Sequence, residues 1–409
     1  MKKIISIWSR FIFIPVVLLS VSVLFNACQQ QPKNKVLIVT GQNTFNWEAT
    51  SNALKQILEN SGLFNVNIHI SPLRGKDMSG YNPNFSNYDV VVLNYNGDSW
   101  PEQTKASFVN YVKDGGGVVV FQSANSAFPD WKKYHEIIGL GGWEKQDIMP
   151  DNYLFWKDDK FVTETGKVYG KSFLESKAYQ IVNIDTTHPI THGLPEKWMH
   201  ANDIIINGLK GPAQNVSVLS TVFSDTLKNG TGRYEPVLFT VEFGEGRIFQ
   251  MAMGYSFNDE EKSALECVGF ITTFQRGTEW AATGSVTQSV PIDFPNAVST
   301  YQWENFLPLS LDELMAKISR YKIGMSRKYT SDLSNRIRRS DGSPETLIKF
   351  EKKILDFLNS EATVDSKNLF CRELSWMGSG KSIPTLEKLV KEPATAEMAN
   401  FALERLKTE

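Results

Sequence analysis

Between Lys35 and Phe121 the chain alternates short, uninterrupted apolar runs with longer stretches whose apolar residues recur at helical spacing. Few folds accept that pattern. KVLIVTG (35–41), YDVVVLNY (88–95) and GVVVFQ (117–122) are too apolar to leave one face in water, so they read as strands buried on both sides. NVNIHI (65–70) alternates as a further strand. WEATSNALKQILENSGLF (47–64) sets Ala49, Ala53, Leu54, Ile57 and Leu58 on one helical face, with Gly62 as its stop. PEQTKASFVNYVKDGGG (101–117) starts on proline and ends in glycines, a second helix. The order strand, helix, strand, strand, helix, strand predicts an α/β fold with a mostly parallel, flavodoxin-like sheet covered by helices on both faces. Ligands of such sheets bind beyond the carboxyl ends of the strands. That places 41–47, 94–100 and 122–128 on one rim.

Residues 130–235 are less regular and rich in tryptophan, glycine and charge, and read as long insertions above the sheet edge. EPVLFTVEFGEGRIFQMAMG (235–254) is a hairpin turning at Gly244-Glu245-Gly246, and SALECVGFITTFQRGTEWAAT (263–283) is a closing helix. The α/β domain therefore spans 35–284, a Ser/Pro/Thr-rich linker 285–303, and an all-helical domain 304–409. The helical segments look like one or two HEAT-type repeats that need a neighbour to bury their apolar faces, a possible surface for a protein partner. WMGSGKS (376–382) imitates a phosphate-binding loop. Its first glycine position is Ser375, and no strand precedes it, so no nucleotide site follows.

The chain of 409 residues has a formal net charge of −2, which gives no basic field for nucleic acid. Lys2, Lys3 and Arg10 precede an apolar run from Phe11 to Phe25, and Ala27-Cys28 follows. That is a signal-peptide pattern ending in a lipobox-like cysteine, so 1–27 is expected to be removed. Cys28 is then the lipidated first residue, 28–34 a tether, and the protein a lipoprotein of the bacterial cell envelope facing the periplasm. Cys267 and Cys371 lie far apart in apolar contexts and read as buried structural thiols.

Gln122 is the first polar residue beyond the strand GVVVF, where catalytic groups are usually mounted, yet an amide is a poor acid, base or nucleophile. Ser123 lacks the flanking glycines of a nucleophile elbow. HPITHGLP (188–195) reads as a turn without the further ligands a zinc site needs, and no metal or cofactor is expected. His200 and Asp203 could orient one another for acid/base work or form a structural hydrogen bond. The rim collects Trp47, Trp100, Trp131 and Trp143 beside Asn46, Asn94, Asn96 and Asp98. Flat aromatic faces next to amide and carboxylate groups suit a small carbohydrate, although core packing explains any single tryptophan equally well. Gln122 and Asn125 add amides to the same rim.

The stretches FNWEAT, YDVVVLNYNGDSWPE, YVKDGGGVVVFQSANSAFPDW, HPITHGLPEKWMHAND, EPVLFTVEFGEGRIFQMAMGY and FQRGTEWAATG run in order through residues 35–284. Together they resemble the ThuA-like (trehalose utilisation) family, a branch of the class I glutamine-amidotransferase-like fold. The resemblance implies carbohydrate catabolism, with processing of oxidised (3-keto) sugars. It also implies histidines at the positions of Asn46, Gln122 and Tyr255, and an acidic run of which only Asp203 remains. Two amides and a phenol thus stand where three imidazoles could move protons near neutral pH. Three readings follow. The first is a sugar-binding protein with reduced or altered catalysis. The second is an active hydrolase or lyase on a modified glycoside using His200, Asp203 or Tyr255. The third is an interaction protein acting through its helical tail.

Overall fold

The computed structural model describes residues 32–408 except 44–45, 143–151, 159, 167–176, 256–262, 304–305, 308, 310 and 339–343. The signal segment, Cys28 and Trp143 lie outside the described residues.

The chain opens with β1 (Asn34–Thr40), α1 (Trp47–Asn60), β2 (Phe64–Ile70), β3 (Val90–Leu93), α2 (Glu102–Lys113) and β4 (Gly117–Phe121). A short α3 (Lys132–Ile138) follows. Next come β5 (Asn152–Lys157), β6 (Lys160–Thr165), β7 (Lys177–Asn183), β8 (Lys197–Asp203), β9 (Lys210–Gly211) and β10 (Val216–Phe223). The α/β part closes with β11 (Tyr234–Phe243), β12 (Gly246–Met251), α4 (Ser263–Glu266) and α5 (Val268–Thr283).

One mixed sheet of 12 strands holds these elements together, in the order β2-β1-β3-β4-β12-β11-β10-β7-β8, with β5, β6 and β9 branching from β11. The strands β2-β1-β3-β4-β12 are parallel, as the unbroken apolar runs predict. Beyond β12 every pairing is antiparallel. The stretch expected to be irregular insertions thus contributes the strands β5 to β10 to the sheet, joined by long loops. Its strands keep polar residues on one face (β7 exposes Ala178 and Gln180 while burying Tyr179 and Ile181), so no apolar run announces them.

Alternate residues of β1 feed opposite cores. Val36 and Ile38 pack with Leu54, Ile57 and Leu58 of α1 and with Phe270 and Phe274 of α5. Leu37 and Val39 pack with Phe108 and Val112 of α2 and Ile137 of α3. Helices therefore cover both faces, and burying each of these large side chains contributes about 1.5–3 kcal/mol. α5 can lie this close only because Gly277 carries no side chain: a Cβ there would stand 2.1 Å from the Phe249 ring.

The segment 285–303 is strapped to the α/β body. Asn296 O accepts from Met199 N of β8 at 2.8 Å, and Ala297 O accepts from the Gln180 side chain at 2.8 Å. Tyr301 O accepts from Val268 N, and Trp303 N donates to Glu266 O. After it come α6 (Leu311–Ile318), α7 (Lys328–Arg338), α8 (Pro344–Leu358), α9 (Val364–Met377), α10 (Ile383–Leu389) and α11 (Ala396–Thr408), which share their own apolar core around Leu314, Leu333, Phe370 and Leu386. Ser375 to Ser382 runs from α9 into a 3₁₀ turn, where Glu351 takes hydrogen bonds from Ser379 and Ser382. Among the described residues no helix is long and apolar enough to cross a membrane.

Candidate functional site

The strand order 2-1-3-4 reverses direction between β1 and β3, and the crevice beyond their carboxyl ends is where such sheets bind ligands. The loops that meet there are tied by side-chain amides. Asn43 Nδ2 donates to Asn94 Oδ1 at 2.9 Å, and Asn94 Nδ2 donates to Ser51 Oγ at 2.9 Å. The Ser123 hydroxyl donates to Asn43 Oδ1, which joins the loop after β4 to the other two. Gln42, buried at the same crevice, donates to Pro72 O at 2.7 Å and accepts from Asp98 N at 2.7 Å. Asn43 and Gln42 lie within the predicted rim, but no pattern in the sequence distinguishes them as ties.

Gln122 heads the 3₁₀ turn Gln122–Ser126 with φ of 48°, in the left-handed region that disfavours any residue but glycine. The geometry is that of a strand-to-helix elbow even though the flanking glycines are missing. A nucleophile would stand there; here it is an amide. Gln122 is 1% exposed and its Nε2 donates to Gly254 O. Its Oε1 is buried with no hydrogen-bond partner among the described residues. Strain of this kind costs about 1–3 kcal/mol and persists only where surrounding structure enforces it.

Gly254 connects the elbow to Asp203. Asp203 Oδ2 accepts from Gly254 N at 2.6 Å, and Oδ1 accepts from Tyr255 N at 2.9 Å and Ile204 N at 2.8 Å. His200 Nε2 lies 2.9 Å from the same Oδ2, and the Tyr179 hydroxyl donates to it at 3.5 Å. Neither His200 nor Asp203 has any exposed surface. Burial pulls the His200 pKa down, but hydrogen bonds with Asp203 and Cys267, and their charges, lift it to about 9. Cys267 lies at the N-terminus of α5. Burial raises its pKa, but the hydrogen bond and charge of His200 outweigh that and hold the thiol below its ordinary value. Burial drives the Tyr255 phenol well above its ordinary range and the Asp203 charge adds to this, against a hydrogen bond with Asn125. Tyr255 is therefore a hydrogen-bond donor and not a base near neutral pH.

The expected site residues divide into groups. Gln122, Asn125, Tyr255, Asp203 and His200 share one locus, linked through Gly254 and the Asn125–Tyr255 pair. Asn46 is exposed and caps α1 by accepting from Ala49 N, while half-buried Trp47 reaches the amide network through its carbonyl and Asn94. Asn96 O accepts from Arg74, and Asp98 accepts from Gly75 N, so both pin the 71–80 loop to the rim. Trp100 is 2% exposed and edge-packed on Phe128 at 4.9 Å and Phe108 at 5.7 Å. Trp131 is half-buried against the same cluster with Lys105 Nζ over its ring at 5.7 Å. The HPITHGLP turn is held by Arg276, which donates to Pro189 O and His192 O, and His188 packs on Trp280. Among the described residues no group of three His, Cys, Asp or Glu side chains could hold a metal ion. Cys267 and Tyr179 were not legible as site neighbours, because only the packing of α5 and β7 on β8 brings them there.

A family model described as "ThuA: Trehalose utilisation" matches residues 35–281. A crystal structure of a ThuA-like protein from Parabacteroides merdae is 44% identical, with a TM-score of 0.64, covering 68% of this chain and 100% of that one. Another ThuA-like protein, from Bacteroides uniformis, is 17% identical with a TM-score of 0.42, over 63% of this chain and 94% of that one. No curated protein matches the chain.

Proposed function

Because the chain belongs to the ThuA, or trehalose-utilisation, family, which supports a carbohydrate-related role, we propose that it binds a sugar or a modified (3-keto) disaccharide at the rim of its sheet, with reduced or altered catalysis. The observation that carries this reading is Gln122. The elbow holds an amide in a strained conformation, with one face fixed to Gly254 and the Oε1 acceptor without a partner among the described residues. An amide can accept from a sugar hydroxyl but cannot take its proton away. Asn125 and the protonated Tyr255 phenol stand beside it as further hydrogen-bonding groups.

A second reading, hydrolysis or elimination at a modified glycoside, draws on His200, whose imidazole stays protonated beside Asp203. Calorimetric titration with glucose, trehalose and 3-keto-glucosides, paired with product analysis, separates the two. We expect binding without product, weakened about tenfold in Gln122→Ala, the value of one lost hydrogen bond. Product that disappears in Tyr255→Phe would replace binding by catalysis, and no binding across the panel would end the proposal.

The signal-like N-terminus supports lipid attachment at Cys28 and a place in the bacterial cell envelope, facing the periplasm. Expressed in a bacterial host, the wild type is expected in the membrane fraction and Cys28→Ser in the soluble fraction. Equal partitioning of the two would refute the anchor.

A further inference from the structure

Away from the rim crevice, β11 holds two neighbours at one residue. Tyr234 pairs with Phe223 of β10 on one side and with Trp156 of β5 on the other. Cross-strand partners share a face, so the three aromatic side chains form a row across three strands. Phe223 is 45% and Tyr234 39% exposed, with their ring centroids 5.1 Å apart. The row lies in an open groove of about 750 Å³, whose other wall carries Gln180 of β7 and Lys197 of β8, with Glu196 beside it. That volume is within the range of small-molecule sites, roughly 300–1,000 Å³.

Exposed aromatics cost free energy in water, and a row of them lined by hydrogen-bonding groups marks a surface built to meet something. We propose that this groove binds a neutral linear oligosaccharide, independently of the rim. Flat rings set along a line match the apolar faces of successive pyranose rings, while Glu196, Lys197 and the side-chain carbonyl of Gln180, whose N–H is held by Ala297 O, are placed for the hydroxyl edges. The lining charges argue against a polyanion. Lys157 and Lys197 are balanced by Asp158 and Glu196, and the Arg233 guanidinium is taken by Glu164 and lies 4.2 Å over the Phe155 ring.

The test uses the full mature chain and calorimetric titration with malto-, cello- and laminari-oligosaccharides of two to six units. Affinity is expected to rise with chain length in at least one series and to fall at least about tenfold in the double variant Phe223→Ala/Tyr234→Ala, the effect of losing two aromatic platforms. For chains longer than two units it should be unchanged in Gln122→Ala, whereas the rim reading predicts weakened binding of mono- and disaccharides there, so failure here and failure of the rim reading are told apart. The single variants and Gln180→Ala serve if the double variant does not fold, each expected to weaken binding. No binding in any series, or binding unaffected by these substitutions, overturns the proposal. So does a change in the oligomeric state of the double variant with sugar binding intact, which would make the groove a contact between copies.

Discussion

Replacing Asp203 by alanine is expected to lower the free energy of unfolding by about 4 kcal/mol or more, measured by urea or thermal denaturation. The carboxylate has no exposed surface and accepts from the backbone N–H groups of Ile204, Gly254 and Tyr255 and from the Tyr179 hydroxyl, with His200 alongside. Removing it leaves several buried donors unpaired, each at about 1–3 kcal/mol. Asp203→Asn keeps the volume but turns an N–H toward donors, so it should also destabilise. A loss below about 1 kcal/mol in the alanine variant would remove Asp203 from its place as the organising acceptor.

The same cluster sets a dependence on pH. An unfolded imidazole titrates near 6.5, whereas folded His200 titrates at about 9. Its contribution is therefore complete below about pH 6.5 and lost as pH rises through about 9, with a ceiling of about 3 kcal/mol. Cys267 works the other way. Its folded pKa is lowered, so its contribution is present above the unfolded thiol's pKa and lost as pH falls through the folded one. The wild-type slope is the difference of the two. Cys267→Ala removes the opposing contribution together with part of the lift on His200, so stability should still fall above about pH 6.5 but level off at a lower pH than in the wild type. A flat profile in that variant would mean that His200 is neutral.

Gly254→Ala is the second large effect, expected at about 3 kcal/mol or more. Gly254 has φ of 91°, and a Cβ would stand 2.4 Å from the Phe270 ring and 2.9 Å from that of Phe121. Left-handed strain in a residue with a Cβ costs about 1–2 kcal/mol, and overpacking between two buried rings adds about 1–3 kcal/mol. The substitution also displaces the carbonyl that fixes Gln122 and the N–H that meets Asp203. Thermal melting and sugar affinity should therefore fall together. A variant as stable as the wild type but unable to bind would show that the position acts on the ligand directly.

How much of this was legible in the sequence followed from burial. The parallel strands, covered on both faces, wrote themselves as apolar runs such as VVV at 90–92 and 118–120. The antiparallel branch did not. β6, for example, carries Lys160, Thr163 and Glu164 at exposed or half-exposed positions, and charge of that kind reads as loop. Gln122 was placed correctly by the end of its strand, but its backbone conformation depends on contacts with residues 132 positions away. Trp100 and Trp131 stood at loop positions, as expected of rim groups, and the fold turned Trp100 inward to an aromatic cluster. Nothing in a linear sequence distinguishes an aromatic that lines a rim from one that closes a core.

Among the described residues β8 is the last strand on its side of the sheet, and an unpaired outer edge is a template for the strand of another molecule. The outward N–H of Met199 is already taken by Asn296. Gln302, near the end of the same segment, makes an isolated antiparallel bridge with Cys267. The residues after the family-matching region thus shield an adhesive border. A segment whose composition suggested only a spacer lies against the border where a further strand would otherwise pair.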